Sequence, residues 1–255
     1  MKTPRLHSQI VPVPELPECQ RLELFKIFAR HYEHVTWPQF ASDLAEKDYV
    51  IVLSDAESGV AHGFSTQQIL RTTVRGVSLR AIFSGDTIID RAYWGEQELV
   101  RSWCRFAGQV RAAEPQTPLF WFLISKGYRT YLFLPLFYRE FFPRFDTATP
   151  AFEKAVMDAL ALHKFPEFYR AESGLIEFPE SHGQLTAELA EIPPGRRHHP
   201  QVQFFLSRNP GYARGTELVC LAEISPDNMK SFAAAAVREG MQTGPLPEPA
   251  QLHYA

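Results

Sequence analysis

The sequence lacks the features that mark several large classes of protein. Its 26 basic and 29 acidic residues give a formal net charge of −3 without a lysine-rich run, so it has no electrostatic footprint for nucleic acid or an anionic membrane. Three widely spaced cysteines favour reduced thiols over a disulfide framework or a CxxC pair. The N-terminal 17 residues lack the apolar run of a signal peptide, and the apolar stretches at 120–124 and 131–138 are too short to span a bilayer. We therefore predict a cytoplasmic protein without a nucleic-acid partner or a membrane span.

Motifs of three common enzyme classes are also missing. No Gly-x-Ser-x-Gly elbow is present, and neither the Walker A nor the dinucleotide fingerprint occurs. Adjacent histidines at His198 and His199 follow two arginines, but two neighbouring loop residues cannot both face one ion as an i, i+4 pair does. We expect no bound metal.

The first 90 residues predict two helices and three strands. A helical face is formed by Leu22, Phe25, Phe28, Ala29 and Tyr32, which recur at spacings of three and four. Thr36 and Pro38 then mark the start of a second, short helix. Strands at 49–53, 60–74 and 77–89 form an antiparallel meander, with Arg75-Gly76 as the turn between the last two. In the third strand the alternation of apolar residues breaks after Gly85, which predicts a β-bulge.

Helices and one buried strand dominate the rest of the chain. The apolar residues from Leu99 to Val110 share one helical face, and 120–124 is a short apolar run typical of a buried strand. Residues 131–142 favour a further helix, with Leu132, Leu136 and Phe137 inward. Beyond residue 150 we predict a helix within 151–168 and short strands at 174–178 and 217–224, and a loop over 179–200.

This order of elements resembles the GNAT superfamily of acyl-CoA-dependent acyltransferases, over residues 22–145. The resemblance implies an α/β (α+β) fold, with a mixed, mostly antiparallel central sheet flanked by helices. It places a GNAT-like acyltransferase domain at residues 1–148 and leaves 149–255 as a C-terminal extension that packs on it and is not independent. In that family the fourth strand is bulged, and pantetheine lies between it and the fifth strand, here 120–124. The acceptor enters from the opposite side, over the N-terminal helices.

The donor loop of the family corresponds to residues 88–99 of this chain. There the backbone N–H groups at the start of a helix bind the pyrophosphate of the donor, an anion site favoured by the helix dipole. The resemblance makes Arg91, Trp94, Gly95, Glu96 and Gln97 the candidate donor-binding residues. The chain departs from the family pattern, because Trp94 replaces the usual arginine and Glu96 brings negative charge to the first turn. The donor is therefore acyl-CoA or an acyl carrier protein, bound as substrate, and no permanently bound cofactor is expected.

Two residues are candidates for the chemistry of acyl transfer. Asp86, beside the bulge, is the candidate base that takes a proton from the amine. Tyr138 resembles the tyrosine that acts in the family as general acid toward the leaving thiolate. Each has an ordinary structural alternative, because Asp86 can simply close a strand and Tyr138 can be a core residue.

The function that the resemblance implies is transfer of an acyl group from a thioester to an amine of a small molecule or an amino acid. Three alternatives stay open. The chain is a non-catalytic acyl-CoA-binding or regulatory module with a degenerate fold, it resembles the carrier-dependent N-acyl amino acid or homoserine lactone synthases, or it binds a partner protein and no small ligand.

Overall fold

The structure, a computed structural model, describes residues 5–178, 184–186 and 190–246. Its strands are β1 (Leu6–Pro12), β2 (Tyr32–Glu33), β3 (Tyr49–Asp55), β4 (Ala61–Val74), β5 (Val77–Ile89), β6 (Leu119–Ser125), β7 (Tyr169–Arg170), β8 (Leu175–Ile176), β9 (Gln184–Leu185) and β10 (Glu217–Glu223). Its α-helices are α1 (Glu18–His31), α2 (Trp37–Ala45), α3 (Glu98–Ala113), α4 (Tyr128–Tyr131), α5 (Phe133–Phe137), α6 (Ala151–Lys164), α7 (Pro200–Arg208) and α8 (Ser231–Thr243). Over these ranges no helix combines the length and apolar character needed to cross a membrane.

One large sheet organises the molecule. Its strand order is β1-β3-β4-β5-β6-β10-β8-β7, and a separate small sheet pairs β2 with β9. Neighbouring strands of the large sheet are antiparallel, except that β5 and β6 run parallel. The predicted mixed, mostly antiparallel sheet is therefore confirmed. Strand β10, far along the chain, lies between β6 and β8 and completes the same sheet.

The predicted meander of three strands is also confirmed. Strands β3, β4 and β5 pair in order, and the turn between β4 and β5 lies at Arg75 and Gly76. Their φ angles are 49° and 80°. Positive φ at both central residues gives a two-residue hairpin loop the twist that matches its strands.

Helices cover both faces of the sheet because side chains alternate along each strand. Ile51 and Leu53 of β3 belong to a core shared with Phe106 of α3. Val50 and Val52 point the other way, into a core shared with α1 and α2. A third core, under α6, completes the second face beside β6 and β10.

Helices α3 and α8 cross with their backbones in near contact. A Cβ atom added at Gly108 would lie 2.1 Å from the Val237 carbonyl oxygen, and one at Gly240 would lie 2.0 Å from that of Arg105. Only glycine fits at either position, and the C-terminal helix is thereby held against α3.

Two predicted helical patterns need correction. In α1 the buried residues are Leu24 and Ile27, whereas Leu22, assigned to the inner face, is 39% exposed. Residues 131–142 do not form one helix, because α4 and α5 are short and the chain is extended at Tyr138. Leu136, expected inside, is 57% exposed. Pro135 has no N–H to continue an intrahelical hydrogen bond, which explains why no long helix forms.

The predicted loop over 179–200 lies partly outside the described residues. Its described part contains β9 and a 3-10 helix at Pro194–Arg196. The strands expected at 174–178 and 217–224 correspond to β8 and β10.

Candidate active site

Strand β5 carries a bulge where the sequence predicts one. Ser65 pairs with Thr87 and Gln67 with Ser84, so that Gly85 and Asp86 together oppose one residue of β4. A Cβ atom on Gly85 would lie 2.6 Å from the Thr66 hydroxyl oxygen, which explains why glycine occupies this position. The extra residue turns β5 after Ser84 and changes the direction in which its later side chains point.

The bulge coincides with the end of pairing between β5 and β6. The parallel ladder runs from Arg80 and Leu119 to Ser84 and Leu123 and stops there. Beyond it β5 continues to Ile89, and in the described part of the chain this edge of β5 has no partner strand. An opening between the two strands results.

A large cavity of about 670 Å³ occupies this opening. Its wall combines the end of β5, the loop before α3, α4 and α5, and the start of α8. Most of the lining side chains are apolar, among them Ile89, Leu99, Phe133, Phe137 and Phe232. This volume and character are typical of a site for an organic ligand.

The loop before α3 forms the mouth of the large cavity. Trp94, Gly95, Glu96 and Gln97 all line it, whereas Arg91, the fifth candidate donor-binding residue, does not. Gly95 has φ of 96°, a left-handed conformation that favours glycine. Trp94 is 45% exposed and donates its ring N–H to the Ile89 carbonyl oxygen.

Two arginine side chains lie near Trp94, whereas the Glu96 carboxylate already occupies the start of α3. The guanidinium groups of Arg91 and Arg129 lie 5.5 and 5.4 Å from the indole ring. The Glu96 carboxylate accepts a hydrogen bond from the backbone N–H of Glu98, at 3.0 Å. One of the amides that would face a pyrophosphate at this helix end is therefore occupied by the protein's own carboxylate.

An inner pocket of about 50 Å³ lies at the deep end of the large cavity. The two share six lining residues: Thr87, Leu99, Val100, Thr130, Phe133 and Phe137. The inner pocket is lined in addition by Ser65, Ser84, Trp103, Cys104, Trp121, Leu123, Tyr138 and Met229.

Tyr138 lies directly after α5 and is only 1% exposed. Its hydroxyl is buried and has no hydrogen-bond partner within the described structure. Burial raises the pKa of Tyr138 well above its usual value, so the hydroxyl keeps its proton at neutral pH. An unpartnered buried hydroxyl on a pocket wall is a donor available to a ligand.

A buried hydrogen-bond network supports the inner pocket. The Trp121 ring N–H donates to Ser84 Oγ, at 2.9 Å, and that hydroxyl donates to Gln67 Oε1, at 2.8 Å. Gln67 Nε2 donates to Ser65 Oγ, which lies 2.7 Å from Thr87 Oγ1. The Trp103 ring N–H also donates to both Gln67 and Ser84. The network holds both tryptophan rings in place and extends to Thr87, which lines the cavities.

A separate polar cavity of about 310 Å³ lies against α1 and α2 and contains Asp86. Its walls are aromatic and charged, with Phe28, Tyr32, Phe40, Asp43, Glu46, Lys47, Phe83, Lys126, Lys164, Phe165 and Glu217 among the lining residues. Lys126 and Glu217 form an ion pair of 3.1 Å, and Lys164 pairs with Glu46. A ligand in this cavity meets both charges and rings.

The electrostatics of the polar cavity centre on Asp86. Loss of solvent raises the pKa of this carboxyl to about 6, although the nearby Lys47 and Lys126 lower it. Burial likewise lowers the pKa of Lys47. Tyr32, which lines both the polar and the large cavity, has a pKa raised by burial and by the Asp86 charge. A carboxylate with a pKa near 6 is well matched to accepting a proton at neutral pH.

Thr87 and Thr130 lie where all three spaces meet. Each of them lines the large cavity, the inner pocket and the polar cavity. Sequence reasoning proposed neither as a site residue, nor Lys47 or Tyr32, and the only signal was that Thr87 follows Asp86 at the bulge. Asp86 and Tyr138 lie on different spaces, the polar cavity and the inner pocket, which reach each other at these two threonines.

No cluster of three or more histidine, cysteine, aspartate or glutamate side chains that could hold a metal occurs over residues 5–178, 184–186 and 190–246.

Comparison with known proteins finds likeness only among solved structures. No protein-family model matches the chain, and no curated protein matches its sequence. A GNAT family N-acetyltransferase from Escherichia coli, in complex with CoA, is 19% identical, with 49% of this chain and 67% of that chain covered and a TM-score of 0.34. A GCN5-related N-acetyltransferase from Kribbella flavida is 11% identical, with 90% and 68% covered and a TM-score of 0.38.

A conserved protein of unknown function from Enterococcus faecalis is 11% identical, with 49% of this chain covered and a TM-score of 0.37. The chain spans about a third of that protein's length, because the match covers 31% of it. The order of elements, the bulge in β5 and the parting of β5 from β6 are features of this chain itself. Together they give the chain the GNAT-like fold that the sequence analysis predicts.

Proposed function

We propose that this chain transfers an acyl group from a pantetheine thioester to an amine. One observation carries the proposal: two cavities of different chemistry reach the same point, Thr87 and Thr130, from the large apolar side and the polar side. A thioester and an amine must meet, and such a junction lets each arrive from its own side.

The large cavity suits the donor. Its volume of about 670 Å³ and apolar walls fit an extended organic arm, and the unpaired edge of β5 offers backbone donors and acceptors to amide groups along that arm. Arg129 and Lys230 line the same cavity and supply positive charge for phosphate groups. We take acyl-CoA as the donor, held by the arm and these cations more than by the start of α3.

A carrier-delivered thioester is the second candidate. Glu96 occupies an amide at the start of α3, which weakens the usual pyrophosphate site. Three large apolar side chains at the cavity, Trp94, Leu136 and Phe232, are 45%, 57% and 44% exposed. Exposed apolar residues beside arginine and lysine suit an acidic protein surface that carries the acyl group.

The polar cavity suits the amine, and Asp86 is the proposed base. An amine arrives as an ammonium ion and must lose a proton before its nitrogen can attack the carbonyl carbon. Ionised Asp86 takes that proton. The nitrogen forms the new C–N bond, and the C–S bond then breaks.

Tyr138 is the proposed general acid for the leaving thiolate. Its hydroxyl is protonated, buried and without a partner in the described structure. It donates its proton to sulfur and regains one from the nitrogen, which loses its second proton as the amide forms. The products are the amide, the free thiol and one proton released through Asp86.

We also propose that residues 149–255 belong to the same folding unit as the rest. Strand β10 pairs with β6, and α8 packs on α3 at Gly108. Lys230 and Phe232, at the start of α8, line the proposed donor cavity.

The test is ligand stabilisation followed by turnover. Thermal unfolding is measured with CoA, acetyl-CoA and a long-chain acyl-CoA, and separately with an acylated carrier protein. A ligand present at a hundred times its Kd stabilises the fold by about 2.7 kcal/mol. Stabilisation by an acyl-CoA supports the first candidate, and a response to the acylated carrier alone supports the second.

Turnover is then followed with an amine panel for wild-type protein and for Asp86→Asn. The variant should bind donor as the wild type does and transfer the acyl group at least a hundredfold more slowly. If neither donor form stabilises the protein and no amide forms, the proposal is wrong and a non-catalytic, partner-binding role takes its place.

A further inference from the structure

Asp86 and Lys47 are two oppositely charged side chains that line the polar cavity. In the described part of the chain the Asp86 carboxylate takes part in no hydrogen bond or ion pair. The Lys47 ammonium donates to the backbone carbonyl oxygen of Asp43, at 2.8 Å, and to no carboxylate among the described residues. Lys47 is only 9% exposed, so water contributes little. Both groups therefore keep bonding capacity that a ligand can use.

The two charges lie close to each other, although no ion pair joins them in the described structure. The Lys47 side chain passes beside the backbone that leads into Asp86, since a Cβ atom added at Gly85 would lie 3.0 Å from Lys47 Cε. Among the carboxylates that raise the pKa of Lys47, Asp86 has the largest effect, ahead of Asp43 and Glu46. A gap between a carboxylate and an ammonium suits a ligand that carries both charges itself.

An α-amino acid carries both charges on one carbon atom. Its ammonium can lie against Asp86, the proposed base, while its carboxylate lies against Lys47. We propose that the acceptor is a free α-amino acid with a large apolar or aromatic side chain, recognised through its carboxylate by Lys47, an inference that rests on the proposed function. Burial lowers the pKa of Lys47, and a carboxylate placed beside it favours the charged form of the lysine.

The other two lysines of the polar cavity have carboxylate partners within the chain. Lys126 pairs with Glu217, at 3.1 Å, and Lys164 pairs with Glu46. Lys47 is therefore the cavity lysine best able to bind a carboxylate from outside. A diamine would bring a second positive charge toward three lysines, which is unfavourable. An amine without a carboxylate would leave the buried Lys47 ammonium as it is, with no gain from that contact.

Aromatic rings on two sides of the polar cavity suit an apolar side chain. Phe28 and Phe40, from α1 and α2, line one side, with ring centroids 5.2 Å apart. Phe168 and Phe178, from the chain after α6, line the cavity as well, with centroids 4.8 Å apart. Such rings gain free energy by covering a hydrocarbon or aromatic group. Residues 149–255 therefore supply part of the proposed acceptor site.

The experiment measures kcat/KM for a panel of amines with one fixed acyl donor. L-Phenylalanine and L-leucine are compared with phenylethylamine, which is phenylalanine without its carboxylate, and with L-alanine, which lacks the large side chain. We expect the better of the first two to exceed both comparison amines at least tenfold, because a buried charge left without its partner is costly. Equal or higher values with phenylethylamine or L-alanine would overturn the inference while leaving acyl transfer intact.

Matched variants test Lys47. Lys47→Met removes the charge and keeps the length of the side chain. It should lower kcat/KM for L-phenylalanine at least tenfold, mainly through KM, and change the value for phenylethylamine by less than about threefold. Lys26→Met is the control, because Lys26 is an exposed lysine of α1 that does not line the cavity. Lys47→Gln serves if Lys47→Met does not fold. A loss of equal size with both amines contradicts the inference.

A second pair of variants tests the aromatic wall. Phe168→Ala should lower the ratio of kcat/KM for L-phenylalanine to that for L-alanine about tenfold. Phe152→Ala is its control, since Phe152 packs against the core under α6 and does not line the cavity. A ratio that stays the same in Phe168→Ala contradicts the assignment of the side-chain site.

Calorimetric binding separates the inference from the proposed function. L-Phenylalanine should bind the wild type at least tenfold more tightly than phenylethylamine, and the difference should vanish in Lys47→Met. Equal binding of the two ligands to the wild type overturns the inference. If the difference is found but no amine is acylated by any donor, the proposed function is wrong, and the amino acid is a ligand of this cavity and not an acceptor.

Discussion

Asp86 should lower the stability of the folded protein at neutral pH, and its removal should raise it. Burial raises the pKa of its carboxyl to about 6, whereas an aspartate in an unfolded chain titrates near 3.9. Two units of pKa correspond to about 3 kcal/mol of folding free energy. Asp86 keeps some contact with solvent, and Asp86→Asn deprives Lys47 of a nearby charge, so we expect a gain of about 1–3 kcal/mol.

The size of this destabilisation depends on pH. Below about pH 4 the carboxyl is protonated in both states and contributes nothing. Between about pH 4 and 6 the folded state holds a proton that the unfolded state has lost, so stability falls as pH rises. Above pH 6 the full cost is present. Asp86→Asn should therefore match the wild type near pH 4 and exceed it at pH 8.

The measurement is urea unfolding of both proteins from pH 4 to 8, compared at equal m-values. At pH 8 a gain of 3 kcal/mol corresponds to a rise in Tm of about 6 °C for a chain of this size. The acyl-transfer rate should move in the opposite direction, since the variant lacks the proposed base. In the wild type this rate should rise with pH up to about 6 and then level off, as Asp86 ionises.

Asp55→Asn provides a control of opposite sign. Hydrogen bonds from Ser58 and Tyr93 lower the pKa of Asp55 to about 2. Its ionised form therefore stabilises the fold at every pH above about 4, and Asp55→Asn should destabilise the protein evenly across the range. If Asp86→Asn is less stable than the wild type at pH 8, or if its effect does not vary with pH, the reasoning about Asp86 is wrong.

Three further predictions follow from single contacts. Tyr138→Phe should leave stability within about 1 kcal/mol of the wild type in urea unfolding, because the lost hydroxyl has no partner in the described structure, and should slow transfer at least a hundredfold. Gly240→Ala should destabilise the protein by about 1–3 kcal/mol or more, because its Cβ would lie 2.0 Å from the Arg105 carbonyl oxygen, whereas Gly195→Ala, with open space around it, should unfold like the wild type. Trp94→Ala should raise KM for the donor about tenfold with little change in kcat, since Trp94 lines the proposed donor cavity but not the inner pocket or the polar cavity.

Local sequence patterns were sufficient to predict the strands, the turn and the bulge in the middle of the chain. The alternating strands, the Arg75-Gly76 turn and the change of phase at Gly85 each depend on neighbours in sequence, and the structure has all three. The amphipathic stripe of α3, from Leu99 to Val110, is buried as its period predicts. The local period of apolar residues predicts burial well when one long helical face packs against one core.

Elements that depend on distant partners were missed. Strand β1 carries few strongly apolar residues and becomes a strand because it pairs with β3. The buried face of α8 consists mainly of alanine and glycine, Ala233, Ala236 and Gly240 among them, so it shows little contrast with the exposed face. Its stability comes from close packing on α3, which no local pattern records.

The order of elements along the sequence determined the class of fold, and short segments determined the bulge with Asp86 beside it and the loop that opens α3. Only the tertiary structure decided what those parts do together. It placed Thr87 and Thr130 on the walls of the same cavities, Tyr138 in the lining of a pocket that also contains two tryptophans, and Lys47 and Lys126 near Asp86. These relations join residues tens of positions apart, and their energies depend on burial and distance, which exist only once the chain has folded.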